Sequence, residues 1–318
     1  MTPRWHWDFE GEHRDVPADR PRRPAPVAAA PGPSRELQVR RRRRVLVVAL
    51  LALIGILLAA MPGSHHSSPS VASTKRTLTV KGSGHSSGIA PAGPGAVASV
   101  LAYTQFVRHG AARAREVAIT FDDGPGPYTP RVLDELEKAH VQATFFEVGK
   151  MLEYFSPSTV REIRDGDVIG DHTETHPFLA RLSAREQREQ LFEPLARVEI
   201  LGGPRPTLFR PPYGSFNTAT LHFMRVYHLL MVLWSVDTGD YQQPGVSVIV
   251  QRAVEGARPG AIILMHDAGG VRTQTIEALP IIIHDLRAKG LEPVTVPQLL
   301  RDDPPARGEQ MPATLGGD

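Results

Sequence analysis

Two adjacent carboxylates, Asp122 and Asp123, follow the apolar run Val117-Ala118-Ile119 within Thr120-Phe121-Asp122-Asp123-Gly124-Pro125. Acids at the end of a buried strand are candidates for chemistry, although Asp, Gly and Pro are also ordinary turn formers. Downstream, His172 and His176 stand at an i, i+4 spacing. With one of the two aspartates they would complete a two-histidine, one-carboxylate set for a divalent metal, leaving the other aspartate free as a base. A helical turn would bring the two imidazoles together, and so would a tight loop after a strand. Phe209-Arg210-Pro211-Pro212-Tyr213-Gly214 adds a rigid Pro-Pro loop whose Arg could hold a carboxylate by a bidentate pair. Residues 234–241, with Asp237, Asp240 and Tyr241, and Leu264-Met265-His266-Asp267 end two further apolar runs in the same manner.

Such residues need elements to bring them to one place. From residue 116 onward short apolar runs alternate with longer amphipathic stretches. The runs at 117–121, 143–148, 168–171, 208–210, 229–236, 261–266 and 293–296 predict strands. Helical periodicity predicts helices over 130–139, 158–164, 184–200, 219–227, 246–257 and 275–289. Strands alternating with helices imply a parallel sheet, and this many units imply an α/β fold of the distorted (β/α) barrel type with about seven strands. The polar clusters fall at or just after the C-terminal ends of the predicted strands, the rim where a barrel builds its sites.

The chain's charge of +2 conceals an asymmetry. Residues 1–44 carry eleven Arg against six acids, residues 62–115 carry six basic residues and no acid, and residues 116–318 carry nineteen basic against twenty-eight acidic. A net acidic folded part argues against nucleic-acid binding, and the absence of Cys excludes disulfides and thiolate metal sites. Residues 1–44, rich in Pro, Arg and Ala, predict a disordered basic tail. The uncharged run at 45–61, seventeen residues directly after the arginines at 40–44, is just long enough for a transmembrane signal anchor. By the positive-inside rule the N-terminus would be cytoplasmic and everything beyond residue 61 extracellular, in a single-pass cell-membrane protein; a cleaved signal peptide and a buried core helix are the alternatives. Residues 62–113 predict a flexible Gly/Ser/Pro-rich spacer, whose His65, His66 and His85 are read as solvated. A catalytic domain at 114–303 and a disordered tail at 304–318 complete the expected organisation.

Five of these segments, in order, resemble the motifs of the NodB-homology polysaccharide deacetylases, the fourth family of carbohydrate esterases. They are Thr-Phe-Asp-Asp-Gly-Pro at 120–125, His-Thr-x-x-His at 172–176, Arg-x-Pro-Tyr at 210–213, Asp-x-x-Asp plus an aromatic at 237–241, and Leu-x-His at 264–266. The resemblance covers roughly 114–300. It implies that Asp123, His172 and His176 bind a divalent metal, usually zinc, and that Asp122 is the general base. It further implies that His266 is the general acid, that the backbone N–H of Tyr213 supports the oxyanion, and that Arg210 orients Asp122. Asp240 would support both Arg210 and His266, while Pro211, Tyr213, Tyr241 and Leu264 would contact substrate.

Three positions depart from the family pattern. Tyr241 replaces a usual Trp, Asp171 replaces a frequent Asn, and Glu147 stands where an apolar residue is expected. The implied activity is metal-dependent removal of N-acetyl groups from an extracellular polysaccharide, with peptidoglycan amino sugars first because of the expected anchor. Chitin oligomers, acetylated xylan and a non-catalytic glycan-binding role remain as alternatives, and the sequence leaves the oligomeric state open.

Overall fold

The computed structural model describes residues 95–311. The expected tail at 1–44, the apolar run at 45–61, the spacer as far as residue 94 and residues 312–318 lie outside the described residues. Among the described residues no helix is long and apolar enough to cross a membrane.

The strand β2 (Glu116–Asp122) is the axis of the molecule. Residues 117–122 are all buried, as expected for a strand covered on both faces of a parallel sheet. Val117, Ile119 and Phe121 are fully buried, each contributing about 1.5–3 kcal/mol of burial free energy. Three strands pair with it: β3 (Thr144–Glu147) beside its end, β8 (Ile262–His266) along its length, and β9 (Glu292–Val294) beside its start. Outward from β3 lie β4 (Val168–Asp171), β5 (Leu208–Phe209), β6 (Leu230–Val232) and β1 (Phe106–Val107), while β7 (Val236–Asp237) flanks β8. All these pairs are parallel, so every strand's C-terminal end reaches the same rim.

The nine described strands form one sheet that curls into a half-barrel. Just beyond β6 the Leu233 N–H donates to the Val107 carbonyl at 2.7 Å, and the Ser235 N–H then donates to the Ile262 carbonyl at 3.1 Å. One extended run therefore reaches from the β1 side of the strand order to the β8 side. The run expected as a single strand at 229–236 is for this reason two strands, each with its own neighbours.

Helices cover the outside: α1 (Gly95–Leu101), α2 (Thr129–Ala139), α3 (Gly149–Tyr154), α4 (Ser156–Asp165), α5 (Ala184–Ile200), α6 (Thr218–Tyr227), α7 (Val246–Gly256), α8 (Thr273–Ala288) and α9 (Val296–Asp302). In α8 the buried Ile276, Leu279, Ile282, Ile283 and Leu286 form one stripe at helical spacing. The start of α5 is set by a reciprocal capping box between Ser183 and Glu186.

Both predicted edges of the domain need correction. Within the expected spacer, α1 buries Val97 and Val100 in the core with Leu299 and Leu300, and β1 pairs with β6. Within the expected C-terminal tail, the Pro305 carbonyl accepts from the Tyr103 hydroxyl at 2.9 Å, and Glu309 pairs with Arg108 at 2.6 Å. A few apolar residues in a Gly- and Pro-rich stretch show no period, yet two Val side chains and a two-residue strand suffice when the sheet edge is already formed. Residues 296–302, where a strand was expected to end, are helical because Thr295 caps the Gln298 N–H and Pro297 sits in the first turn.

Candidate metal and catalytic site

Parallel register sets the rim. Asp122 lies opposite His266, and Asp171, the residue before His172, lies opposite Phe209, the residue before Arg210. The chain then turns sharply: Asp123 has φ 73°, in the left-handed region, so its carboxylate points differently from that of its neighbour. Gly269, also left-handed, lies against it, and a Cβ there would collide with the Asp123 Oδ2.

The segment from His172 to His176 is a loop, which decides between the two geometries that the spacing allowed. Thr173 and His176 have φ 70° and 59°. The Thr173 N–H donates to the Asp171 Oδ1 at 2.7 Å, and the His176 N–H donates to the Thr173 Oγ1 at 3.0 Å. The two imidazole centroids end 4.8 Å apart.

Asp123, His172 and His176 present donor atoms that all lie within 4.8 Å of one another. The His176 Nε2 is 3.1 Å and the His172 Nε2 3.7 Å from the Asp123 Oδ1, a buried oxygen with no hydrogen bond. The His172 Nδ1–H donates to the Arg210 carbonyl at 2.7 Å, which turns the Nε2 lone pair inward. Burial pushes His172 down to about 4, against the pull of Asp122, so it is neutral at pH 7. Burial opposes ionisation of Asp123, but His176, His266 and His172 together hold its carboxyl below the usual range. A neutral imidazole and an ionised carboxylate converging on a buried, unbonded oxygen fit a divalent cation.

Asp122 is 3% exposed and is fixed by Arg210, which is wholly buried. The Arg210 Nη1 donates to the Asp122 Oδ1 at 2.6 Å and to the Thr120 Oγ1 at 2.8 Å, and its Nε donates to the Val232 carbonyl at 2.9 Å. The guanidinium also lies 4.1 Å from the centroid of Phe146. The expected bidentate pair is absent, because the other donors face the Thr120 hydroxyl and the carbonyls of Val232 and Leu233. On its other side, the Asp122 Oδ2 is 3.7 Å from the His172 Nε2.

His266 is held by Asp240 twice over. Its Nδ1–H donates to the Asp240 Oδ1 at 2.8 Å and its backbone N–H to the Asp240 Oδ2 at 2.9 Å. Burial opposes its charge, but Asp240 prevails and raises it to about 9, so the imidazolium persists at neutral pH. Thr275 and Thr238 also donate to Asp240, which makes no bond to Arg210. The expectation that Asp240 supports both is corrected: it serves His266 alone, and Arg210 is anchored by carbonyls.

The expected substrate-contact residues sit around this rim. Tyr213, in the turn Pro212–Gly214 after the buried Pro211, has φ 57° and meets His176 edge-on at 4.7 Å. Tyr241 meets His266 edge-on at 5.3 Å and is 38% exposed, and Leu264 is buried in β8.

Residues 109–232 match the family profile described as polysaccharide deacetylase. A peptidoglycan-N-acetylglucosamine deacetylase of Bacillus cereus is 37% identical over 188 residues, which cover 58% of this chain and 68% of that protein. The chain belongs to the polysaccharide deacetylase family. The peptidoglycan-N-acetylmuramic acid deacetylase PdaC of Bacillus subtilis is also 37% identical, over 184 residues that cover 58% of this chain but 38% of that protein. A crystal structure of a peptidoglycan N-acetylglucosamine deacetylase in complex with 4-naphthalen-1-yl-N-oxidanyl-benzamide is 34% identical, with a TM-score of 0.61 over 66% of this chain and 97% of that one.

Behind the deacetylase rim lie buried acids whose state the sequence left open. Burial raises the carboxyl of Asp171 well above the usual range. Glu147 is 1% exposed and bonded by the Thr159 hydroxyl at 3.0 Å; burial lifts it to about 7. Glu162 is raised well above the usual range by burial and by Glu147 beside it, and burial lifts Asp267 to about 8. Sequence reasoning missed Thr120, Thr238, Thr275 and Gly269. Only the Gly269-Gly270 pair just after His266-Asp267 carried a signal, that of a tight turn. His109, His140, His222, His228 and His284 belong to the surface or to caps; His140 and His228 end α2 and α6 in the left-handed conformation.

Proposed function

We propose that this chain is a zinc-dependent N-deacetylase of peptidoglycan amino sugars, anchored in the cell membrane by residues 45–61 with its catalytic domain outside. The observation that carries the reading is that the metal set, an Arg-held carboxylate and an Asp-held imidazolium converge on one rim. Its peptidoglycan-deacetylating relatives support peptidoglycan as the substrate, and the arginines at 40–44 before an uncharged run support the topology.

Asp123, His172 and His176 would hold the metal, which when bound supplies Lewis acidity toward water and the acetamide carbonyl. Asp122, kept in place by Arg210, takes the proton of the attacking water. The backbone N–H of Tyr213 donates to the oxyanion. The His266 imidazolium gives its proton to the departing amine, and Asp240 stabilises it before transfer. Deacetylation should therefore decline in alkali as His266, at about 9, loses its proton. It should also decline in acid as a proton competes with the metal for the His172 lone pair.

The test is acetate release from purified peptidoglycan by the full zinc-loaded chain in detergent, before and after chelation. Release that stops on chelation and returns with zinc supports the reading. Undiminished release after the zinc has been stripped would refute the metal's part, and no release by the loaded chain would refute the substrate.

A further inference from the structure

Outside the five motifs, Phe178 and Arg181 extend the site along the surface. The Phe178 ring stacks on Tyr213 with centroids 3.9 Å apart and planes 9° from parallel. The Arg181 Cζ lies 4.3 Å from the Phe178 centroid. Two groups stacked this close cannot share one face of a phenyl ring, so Phe178 is sandwiched between the phenol and the guanidinium. Three successive contacts, each under 5 Å, thus lead from His176 through Tyr213 and Phe178 to an exposed cation.

This ledge is built. Leu179 is fully buried beneath it, the Ala180 N–H donates to the Ser215 hydroxyl at 3.2 Å, and the Asn217 side chain donates to the Ala180 carbonyl at 3.3 Å. The loop that carries Arg181 is therefore tied to the loop that carries Tyr213. Arg108, Arg161, Arg197, Arg205 and Arg287 all hold carboxylates, whereas among the described residues no carboxylate lies within ion-pair distance of Arg181. The cation–π contact uses none of the guanidinium N–H donors, whose planar fork is the geometry that receives a carboxylate in bidentate fashion.

We propose that Arg181, oriented by Phe178, reads a carboxylate on the glycan next to the sugar being deacetylated, so that the site prefers acidic glycans to neutral ones. The inference rests on the deacetylase reading above. The carboxylate could belong to a lactyl ether on a sugar or to a peptide joined to the glycan, and the experiment separates the two.

The full zinc-loaded chain in detergent is assayed for kcat and KM on three soluble oligosaccharides. One is a neutral N-acetylglucosamine oligomer, one an alternating oligomer with free lactyl carboxylates, and one that same oligomer with peptides amidating the lactyl groups. The readout is the ratio of kcat/KM on each acidic glycan to kcat/KM on the neutral one, for wild type, Arg181→Met and Arg181→Lys. Methionine keeps an apolar cover over Phe178 without charge, and lysine keeps charge without the fork. Arg181→Met should lower the ratio about tenfold, through KM. Arg181→Lys should restore part of it, and added salt should erode the wild-type ratio but not that of the methionine variant. A loss confined to the lactyl oligomer identifies that carboxylate, and a loss confined to the peptide-bearing one identifies the peptide's. An unchanged ratio, or an equal loss on acidic and neutral glycans, overturns the proposal while leaving the deacetylase reading intact. Failure of wild type to deacetylate any of the three overturns both.

Discussion

Asp122 and Asp123 at the end of β2, and Glu147 and Glu162 beside the neighbouring strand, are all carboxyls sheltered from water, yet they live in opposite electrostatic worlds. The first pair faces Arg210, His172 and His176. The second has only the Thr159 hydroxyl and each other, so burial dominates and both are raised, Glu147 to about 7. Burial disfavours charge in both places, yet the histidines facing Asp123 hold it below the usual range while Glu147 and Glu162 are raised. Partners brought in from β5 and from the loop after β4 therefore decide which acids can do chemistry.

The largest effect should come from Asp122→Asn. It would remove the proposed base while sparing Asp123, His172 and His176, so kcat should fall by about 10²- to 10⁴-fold with metal content unchanged. Acetate release alongside metal analysis checks this, and loss of zinc in parallel would show that Asp122 belongs to the ligand set instead. Next comes Arg210→Met. Taking away a fully buried cation strands the Asp122 carboxylate, at a cost of about 3–5 kcal/mol in urea unfolding at pH 7. Glu162→Gln removes no partner of opposite charge and should cost far less. Equal losses for the two variants would erase the distinction between the groups.

A pH series sharpens the contrast further. An acid whose folded pKa lies above its unfolded value binds a proton more tightly when folded. Its contribution is complete below the unfolded value near 4.5 and is lost as pH rises through the folded value. Glu147 at about 7 and Asp267 at about 8 should therefore make stability fall between about pH 4.5 and 8, each by about 1 kcal/mol per pH unit within its own window. In Glu162→Gln one titrating member is gone, so the decline in urea midpoint over that range should be shallower than in wild type. A parallel decline would remove Glu162 from the cluster.

The sequence revealed the reactive group better than the buried one, for a physical reason. Asp122, Asp123, His172, His176, Arg210 and His266 end apolar runs, and parallel pairing carries strand ends to one rim, so spacing alone could gather them. Glu147 also ends a strand, but its partner Glu162 comes from the middle of α4 on a face that composition marks as solvated. The same limit explains Asp240. Its motif placed it near His266, while its lack of contact with Arg210 depends on the carbonyls of Val232 and Leu233, where the chain crosses from β6 toward β7. The domain edges were hidden because α1 and β1 bury only two residues apiece, against a sheet already complete enough to receive them.

The smallest effect tests the hydroxyl that bonds Glu147. The Thr159 hydroxyl donates to both Glu147 oxygens, at 3.0 and 3.2 Å, and so favours the charged form that burial disfavours. Thr159→Val keeps the shape and deletes the donor, which should cost about 1 kcal/mol at a pH where Glu147 is ionised. Where Glu147 is protonated the cost should shrink, because a neutral carboxyl needs that donor less. The titration of Glu147, followed by carboxyl carbon NMR, should move upward from about 7 in the same variant. If instead it moves down, the hydroxyl is accepting from a protonated Glu147, and the second group of acids is neutral through a shared proton network, with burial in the lesser role.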